Sequence, residues 1–191
     1  MSNTFIPSPI SGSKWEYICD NCDSERVLHS ESYTIGYQLS GSCNIISDGR
    51  GVVVRERTLF LLDRGSFKVD AKVGCSGNFE QILFSLDAET LFGRFSRDTS
   101  RSESRFEHAI LAGIVSTRTI EDVAAQCCTS LSTFKRRFGE RFAHSPHRWF
   151  LRCRLDIAER IIGYSGVTVA DLAKMCGFSN TSHFICAYRH R

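Results

Sequence analysis

Two hydrophobic patterns divide this chain of 191 residues. From about residue 27 to residue 86, short runs of alternating apolar and polar residues are separated by turns that contain glycine. Ser47-Asp48-Gly49 is a strong signal for a hairpin between two such runs. From residue 105 onward, apolar residues recur at three- and four-residue intervals, as they do in helices that bury one face. The patterns predict a small antiparallel β barrel or sandwich followed by an all-helical region.

The helical region contains two copies of one short sequence module. Residues 119–130 and 168–179 align at a constant spacing, and both segments begin with a threonine in the position of a helix N-cap. A helix with two aromatic residues four positions apart, on one face, follows each segment. These residues are Phe134 and Phe138 in the first module and Phe184 and Tyr188 in the second. Helix, turn and second helix in this order predict a helix-turn-helix, whose second helix enters the major groove of DNA.

A longer helix is predicted between the two modules. Pro146 suits its start, because the first backbone N–H of a helix has no helical partner to lose. The helix is predicted over residues 147–162, where it links the modules and fixes their separation. Its predicted apolar face consists of Leu151, Leu155, Ala158 and Ile162.

The C-terminal half, residues 105–191, resembles the AraC/XylS family of bacterial transcription regulators. The motifs that carry the resemblance are Ser130-Leu131-Ser132-Thr133-Phe134-Lys135-Arg136-Arg137-Phe138, Ser145-Pro146, Arg154-Leu155 with Ala158, Ala173 with Gly177-Phe178-Ser179, and Ser182-His183-Phe184. Their combination in this order is more specific than one helix-turn-helix. The resemblance implies a transcription regulator that binds double-stranded promoter DNA sequence-specifically and works with RNA polymerase.

The β region resembles, more weakly, the cupin-like sensing domain that precedes the DNA-binding domain in many of these regulators. The segment Leu59-Phe60-Leu61-Leu62-Asp63-Arg64-Gly65 carries this likeness. The resemblance makes a small-molecule effector a candidate ligand. It would bind in an apolar pocket lined from Leu59–Leu62 and Phe79–Leu86; alternatively, these residues only fill the core.

The predicted fold class is α+β, with a small antiparallel cupin-like domain over residues 1–95 and a double helix-turn-helix domain over residues 105–191. Between them, Ser96 to Ser104 is polar throughout and is predicted to be a linker. Family members usually carry dimerisation helices before their linker. Little room exists for such helices here, so dimerisation is left open.

Side chains opposite the buried aromatics of each second helix are expected to face the DNA bases. These base-reading candidates are Ser132, Lys135 and Arg136 in the first module and Thr181, Ser182, His183 and Cys186 in the second. The resemblance places the family's base-contacting role on the same three positions of the first module. Phosphate contacts are predicted for Arg137, Arg141, Arg189 and Arg191, because charge matters more than shape there. The alternative is that Lys135-Arg136-Arg137 is only a solvated basic face.

The charge distribution supports a nucleic-acid partner. Residues 105–191 carry 13 Lys and Arg against 7 Asp and Glu, whereas residues 1–104 carry 11 against 14. A basic region next to an acidic one is typical of a nucleic-acid-binding domain joined to another domain. Chance clustering on a solvated face would produce the same asymmetry, and the helix-turn-helix pattern favours the first interpretation.

No enzyme, metal site or cofactor is predicted. The six histidines do not cluster with a nucleophile or a carboxylate pair. Cys19 and Cys22 form a single CxxC, and Cys43 and Cys75 could together supply the two missing ligands of a four-ligand zinc site only if the fold brought them close. The other cysteines fit small buried apolar positions. With no apolar run near the ~20 residues of a membrane span and no signal-peptide pattern, a cytoplasmic protein without a membrane partner is predicted.

Two positions depart from the family pattern. Cys128 stands where the second module has Gly177, and Ala143 stands where the family usually has glycine, so each turn is expected to be either strained by a positive φ or differently shaped. By analogy with the first module, a further turn and capping helix are expected after Tyr188. The domain is therefore predicted to lack its last helix. The alternative function is a partner- or ligand-binding protein that acts through the β region, with an impaired DNA-binding domain.

Overall fold

The computed structural model describes residues 14–86, 92, 101–116, 119–164 and 166–190. Its N-terminal part contains eight strands in two four-stranded antiparallel sheets. The strands are β1 (Lys14–Asp20), β2 (Ser24–Ser30), β3 (Tyr33–Ser40), β4 (Ser42–Ser47), β5 (Arg50–Val54), β6 (Thr58–Leu62), β7 (Gly65–Lys72) and β8 (Phe79–Leu86). The strand order is β1-β8-β3-β6 in the first sheet and β2-β7-β4-β5 in the second. The predicted antiparallel β fold is confirmed, and of the two architectures left open, barrel or sandwich, the described strands form two sheets of a sandwich.

The hairpin between β4 and β5 closes at the predicted turn. Asp48 and Gly49 both have positive φ, 49° and 74°, as a two-residue type I′ turn requires. Ser47 pairs with Arg50 across this turn. Because so short a connection permits only one alignment of the flanking strands, the turn sets their register.

Side chains fill the space between the two sheets. The buried apolar residues there are Cys43, Ile45, Val54, Phe60, Leu62, Phe67, Val69, Ala71, Phe79 and Leu83. Gly36 leaves room for the Phe60 ring, which a Cβ atom at this position would overlap. Buried Gln38 accepts a hydrogen bond from Gln81 Nε2 at 2.8 Å, so both side chains are satisfied away from water. Residues of Leu59–Leu62 and Phe79–Leu86 therefore contribute to the packed core, and an effector pocket lined by these segments stays a prediction.

The first sheet is buried on both faces, since its outer face packs against the helical region. Successive side chains of a strand point to opposite faces, and every residue of β3 from Tyr33 to Leu39 is buried. One continuous apolar cluster includes Tyr33, Ile35, Tyr37, Leu39, Leu59, Ile82, Phe84 and Leu86 of the sheet together with Phe106, Ile110 and Ile114 of the first helix. The sandwich and the helices thus share an apolar core.

Six helices are described in the C-terminal part. They are α1 (Arg101–Val115), α2 (Ile120–Gln126), α3 (Leu131–Phe142), α4 (Pro146–Ile161), α5 (Val169–Met175) and α6 (Thr181–Arg189). Residues 101–104 of the predicted linker belong to α1, whereas residues 96–100 lie outside the described residues. No described helix combines the length and apolar composition that crossing a membrane requires.

The linking helix α4 starts at Pro146 as predicted, but its buried surface is wider than the predicted stripe. Leu155 and Ala158 are buried, whereas Ile162 follows the helix and is 46% exposed. The other buried residues are Pro146, Trp149, Phe150, Cys153, Asp156, Ile157 and Ile161. Several helices contact α4, and a helix with neighbours on more than one side buries more than a single narrow face.

Candidate nucleic-acid interface

The first module comprises α2 and α3, and the second comprises α5 and α6. Both begin with the same capping box. Thr119 Oγ1 accepts from Asp122 N at 3.2 Å, and Asp122 Oδ2 accepts from Thr119 N at 3.0 Å. Thr168 and Asp171 form the same pair at 3.1 and 2.9 Å. The predicted threonine caps are confirmed, and the reciprocal bonds orient the entry to each module.

The first helix of each module ends in the same left-handed turn. Cys128 has φ 54° and Gly177 has φ 86°. Backbone bonds from Thr129 N to Ala124 O and from Phe178 N to Ala173 O close equivalent loops, as in a Schellman motif. The second turn is one residue longer, because α3 is capped by Ser130 and α6 by Asn180.

Of the two alternatives left open for Cys128 and Ala143, the structure shows the strained one, since both residues have positive φ. Cys128→Gly is expected to raise the free energy of unfolding by about 0.5–1 kcal/mol, since relief of left-handed strain exceeds the entropy cost of glycine. Ala143, the C-cap of α3, also has φ 54°, so Ala143→Gly should act in the same direction. Urea unfolding measures both variants. Gly177→Ala is the matched reverse change and should destabilise; a loss of stability in Cys128→Gly would contradict the strain argument.

The second helix of the first module turns its aromatic residues inward and its polar residues outward. Phe134 and Phe138 are fully buried, while Ser132, Lys135 and Arg136 are exposed. Arg136 Nη1 lies 2.9 Å from Glu140 Oε1, in an exposed pair four residues apart. Such a pair contributes little, so Arg136 can exchange Glu140 for a base edge at low cost.

The second helix of the second module has the same arrangement with different chemistry. Phe184 is buried. The predicted base-reading residues Thr181, Ser182, His183 and Cys186 are all exposed. Ile185, 37% exposed, and Cys186 occupy the places that correspond to Lys135 and Arg136. The second module therefore presents shorter side chains and fewer strong donors.

The arginines predicted to contact phosphates lie in different environments. Arg189 is exposed near the end of α6. Arg137 is partly buried, and its guanidinium carbon lies 4.6 Å from the centroid of the Phe106 ring. Arg191 lies outside the described residues.

Arg141, also predicted to contact phosphates, makes its observed contacts within the protein. Its side chain is 17% exposed, and it lies 3.4 Å from Glu107 Oε1. Its guanidinium also donates to Phe92 O at 2.8 Å and lies over the Phe92 ring. Arg141 thus connects α3 with Phe92 and with Glu107 of α1. The sequence could not reveal this partner, since Glu107 is 34 residues away.

Arg154 has a structural role that the sequence analysis did not assign. Its Nη2 donates to Gly113 O at 2.7 Å and also to Ser116 O, and its Nε donates to Ile114 O at 3.0 Å. One guanidinium therefore satisfies three carbonyls at the end of α1, which have no partners within the helix. Burial lowers the pKa of Arg154, but an arginine remains charged. The sequence carries one sign of this role, because Arg154 lies between Cys153 and Leu155, two apolar positions of α4 that are buried.

The cysteines fall into two groups. Cys43, Cys127, Cys153 and Cys176 are buried, and Cys19, Cys22, Cys75, Cys128 and Cys186 are exposed. The prediction of small buried positions is confirmed for Cys127, Cys153 and Cys176 and is wrong for Cys186. Burial raises the pKa of Cys127 to about 11 and that of Cys176 to about 12, so these thiols are poor nucleophiles at neutral pH. Within the described part of the chain, no group of three or more His, Cys, Asp or Glu side chains is arranged to hold a metal ion.

Comparisons with known proteins agree with this geometry. Residues 123–191 match the family described as helix-turn-helix domain. The chain is 36% identical over 69 residues to the HTH-type transcriptional activator RhaS of Klebsiella pneumoniae, which covers 36% of this chain and 25% of the relative. It is 32% identical over 72 residues to the HTH-type transcriptional regulator ExsA of Pseudomonas aeruginosa, which covers 38% of this chain and 26% of the relative. The chain thus spans about a quarter of the length of the curated relatives it matches.

Among solved structures, the DNA-binding domain of AdpA, a global transcriptional factor in complex with a target DNA, is similar with a TM-score of 0.41. The sequences are 24% identical, and the match covers 49% of this chain and 83% of that chain. The motifs and the family match fall on the two modules and α4. The C-terminal region of this chain is therefore a helix-turn-helix domain of the AraC/XylS family of transcription regulators.

Proposed function

We propose that the whole chain is a sequence-specific, DNA-binding transcription regulator whose two modules read one promoter site. The observation that carries the proposal is the shared geometry of α3 and α6. Each helix follows a capped helix and a left-handed turn, buries its aromatic face and exposes the polar residues that would meet base edges. This is the geometry in which a recognition helix enters a major groove.

Charge and chemistry support the same proposal. Lys135 and Arg136 are exposed on α3, and long cationic side chains suit the O6 and N7 acceptors of guanine. The exposed Arg189 suits a phosphate, as does Arg137 if it leaves the Phe106 ring. The net positive charge of residues 105–191 favours DNA at long range.

The proposal extends to RNA polymerase as a partner and to the cytoplasm as the location. RhaS is named a transcriptional activator, and a bacterial activator acts where promoters are transcribed. A small-molecule effector would make the regulator responsive. Since packed side chains fill the sandwich interior, such an effector would require a site outside that interior or a rearrangement of it.

The two modules are proposed to contribute unequally, with the first dominating sequence recognition. A bidentate contact from arginine to guanine is worth about 1–3 kcal/mol of discrimination. Arg136→Ala is therefore expected to weaken specific binding about tenfold or more and to relax preference at one base pair. Ser182→Ala should cost less. Arg189→Ala should weaken binding to all sequences and flatten the salt dependence.

The experiment is to footprint the protein on genomic fragments and then measure affinities for the footprinted duplex and a scrambled duplex at two salt concentrations. A larger specificity loss in Ser182→Ala than in Arg136→Ala would reverse the proposed inequality. Persistent absence of binding at low salt would overturn the DNA-binding proposal. That outcome would favour a protein that binds a partner or ligand through its β sandwich.

A further inference from the structure

The connection between α4 and α5 is held by the sandwich. This connection, residues 162–168, is the covalent link from the first module and α4 to the second module. It contains Gly163 and Gly166, the latter with φ 78°, and glycine places few restraints on the backbone. Tyr17 of β1 packs on Tyr164 in this connection, with ring centroids 5.1 Å apart.

A second contact lies immediately beyond the connection. Arg57 Nη1, from the corner between β5 and β6, donates to Asp171 Oδ2 at 2.8 Å. The two side chains are 34% and 27% exposed, so the pair is partly shielded from solvent. Arg57 also lies close to Gly166, where a Cβ atom would be 3.5 Å from Arg57 Nη2.

The corner that carries Arg57 is itself fixed. Arg57 has φ 60°, and its backbone N–H donates to Gln38 O at 2.8 Å. A non-glycine residue keeps a left-handed conformation only where its surroundings determine it, and such strain is enriched at functional positions. The guanidinium is therefore presented to the second module from a rigid point of the sandwich.

Asp171 is the third residue of α5 and the partner of the N-cap Thr168 in its capping box, so the contact acts on the entry to the second module. Burial opposes its ionisation, but the hydrogen bonds from Thr168 and the charge of Arg57 outweigh burial and lower the pKa of Asp171. The equivalent Asp122 makes the same capping bonds. Among the described residues, no ion pair is formed by Asp122. The contact with the sandwich is thus specific to the second module.

The sandwich contacts the second module and its connection without covering α6, the helix that would read DNA. Ser182, His183 and Cys186 are exposed on α6, whereas the contacts fall on residue 164 and on α5. Two linked binding units gain affinity from each other only when both can engage at the same time. A contact that holds the second module and leaves its recognition helix open is suited to maintaining that geometry.

We infer that the β sandwich is a positioning element for DNA reading by the second module, acting through Arg57 on Asp171 and through Tyr17 on Tyr164. It holds α5 and α6 in the orientation in which both recognition helices meet their half-sites. This inference rests on the proposed function. Arg57 is a positioning residue, because it acts on DNA through Asp171.

The test compares Arg57→Gln, which removes the charge but keeps a long side chain, with Arg55→Gln, a change at an exposed arginine of the same corner. Affinity is measured for the footprinted duplex and for a duplex with the second half-site scrambled. Arg57→Gln is expected to weaken binding to the full site about fivefold or more. Its affinity for the scrambled duplex should stay within about twofold of the parent's. A difference of this size is expected even between sites that do not interact. Arg55→Gln should match the parent on both duplexes, and Arg57→Lys should restore binding to the full site.

Two further readouts separate positioning from general stability. The full-site duplex should protect Cys186 from alkylation by N-ethylmaleimide in the parent protein, and this protection should fall in Arg57→Gln. In a double-mutant cycle, the effect of Arg57→Gln should vanish in an Asp171→Asn background and persist in an Asp122→Asn background. If Arg57→Gln acted only by general loss of stability, its effect on binding would be the same in the Asp171→Asn and Asp122→Asn backgrounds.

The outcomes distinguish this inference from the proposed function. If the parent protein binds neither duplex, the proposed function fails and the inference falls with it. If the parent binds the full site and Arg57→Gln matches it on both duplexes, with equal protection of Cys186, the inference is overturned while the proposed function stands. Tighter binding by Arg57→Gln would also overturn it, since the contact would then restrain the second module away from DNA.

Discussion

Arg154→Met is expected to lower the free energy of unfolding by about 3–4 kcal/mol. Methionine keeps much of the side-chain volume but leaves three carbonyls at the C-terminal end of α1 without their donor. These carbonyls belong to Gly113, Ile114 and Ser116. Each one loses a charge-assisted hydrogen bond in a site where Gly113 and Ile114 are buried. Urea unfolding followed by circular dichroism measures the change.

The controls for Arg154→Met test whether the three bonds are the cause. Arg148 lies on the same helix and is exposed, so Arg148→Met should change stability by less than about 0.5 kcal/mol. Arg154→Lys should recover only part of the loss, because a single ammonium group cannot reproduce the planar fork of the guanidinium. Equal stability of Arg154→Met and the parent would show that α1 ends without needing this side chain.

Phe138→Ala is expected to lower the free energy of unfolding by about 3–5 kcal/mol and to reduce specific DNA binding. Phe138 is fully buried. Its ring lies 4.4–5.7 Å, between centroids, from the rings of Phe134, Phe142, Trp149 and Phe150. Alanine would leave a cavity among these aromatic residues and loosen α3 against α4, so the orientation of Lys135 and Arg136 would be lost as well. Thermal unfolding and binding to the footprinted duplex measure the two effects.

Tyr188 is the matched position in the second module. It is half-buried and stacks on Phe184 with a centroid distance of 5.7 Å, so Tyr188→Ala should cost less than Phe138→Ala, about 1–2 kcal/mol. If the two variants were equally destabilised, the larger aromatic cluster around Phe138 would not be the cause. If Phe138→Ala kept its full affinity for the footprinted duplex, the expectation that this core orients the recognition helix would be wrong.

Features that depend only on residues close together in sequence could be predicted from the sequence. The turn at Asp48 and Gly49 and the threonine caps follow from local backbone sterics or from hydrogen bonds within a few residues. The inward aromatic pairs of α3 and the outward polar faces of both second helices follow from helical periodicity alone. These features establish the helix-turn-helix modules and place the base-reading candidates on exposed faces.

Features that depend on distant residues could not be predicted in this way. The buried face of α4 extends beyond the predicted stripe, because the packing of neighbouring helices decides which of its sides are covered. The ion pair between Arg141 and Glu107 also joins residues far apart in sequence. Periodicity reports one face of a helix, and it carries no information on the number of neighbours.

The sequence by itself determined two capped modules, a linking helix, an antiparallel β region and a basic C-terminal half, since each rests on short-range periodicity, turn chemistry or composition. Only the tertiary structure decided what joins them. It placed Arg154 at the end of α1, packed the outer face of the first sheet on the helices, and brought Arg57 to Asp171 across 114 residues. The physical reason is that such contacts arise when the folded chain excludes water from a shared core, and the residues that meet there are chosen by topology.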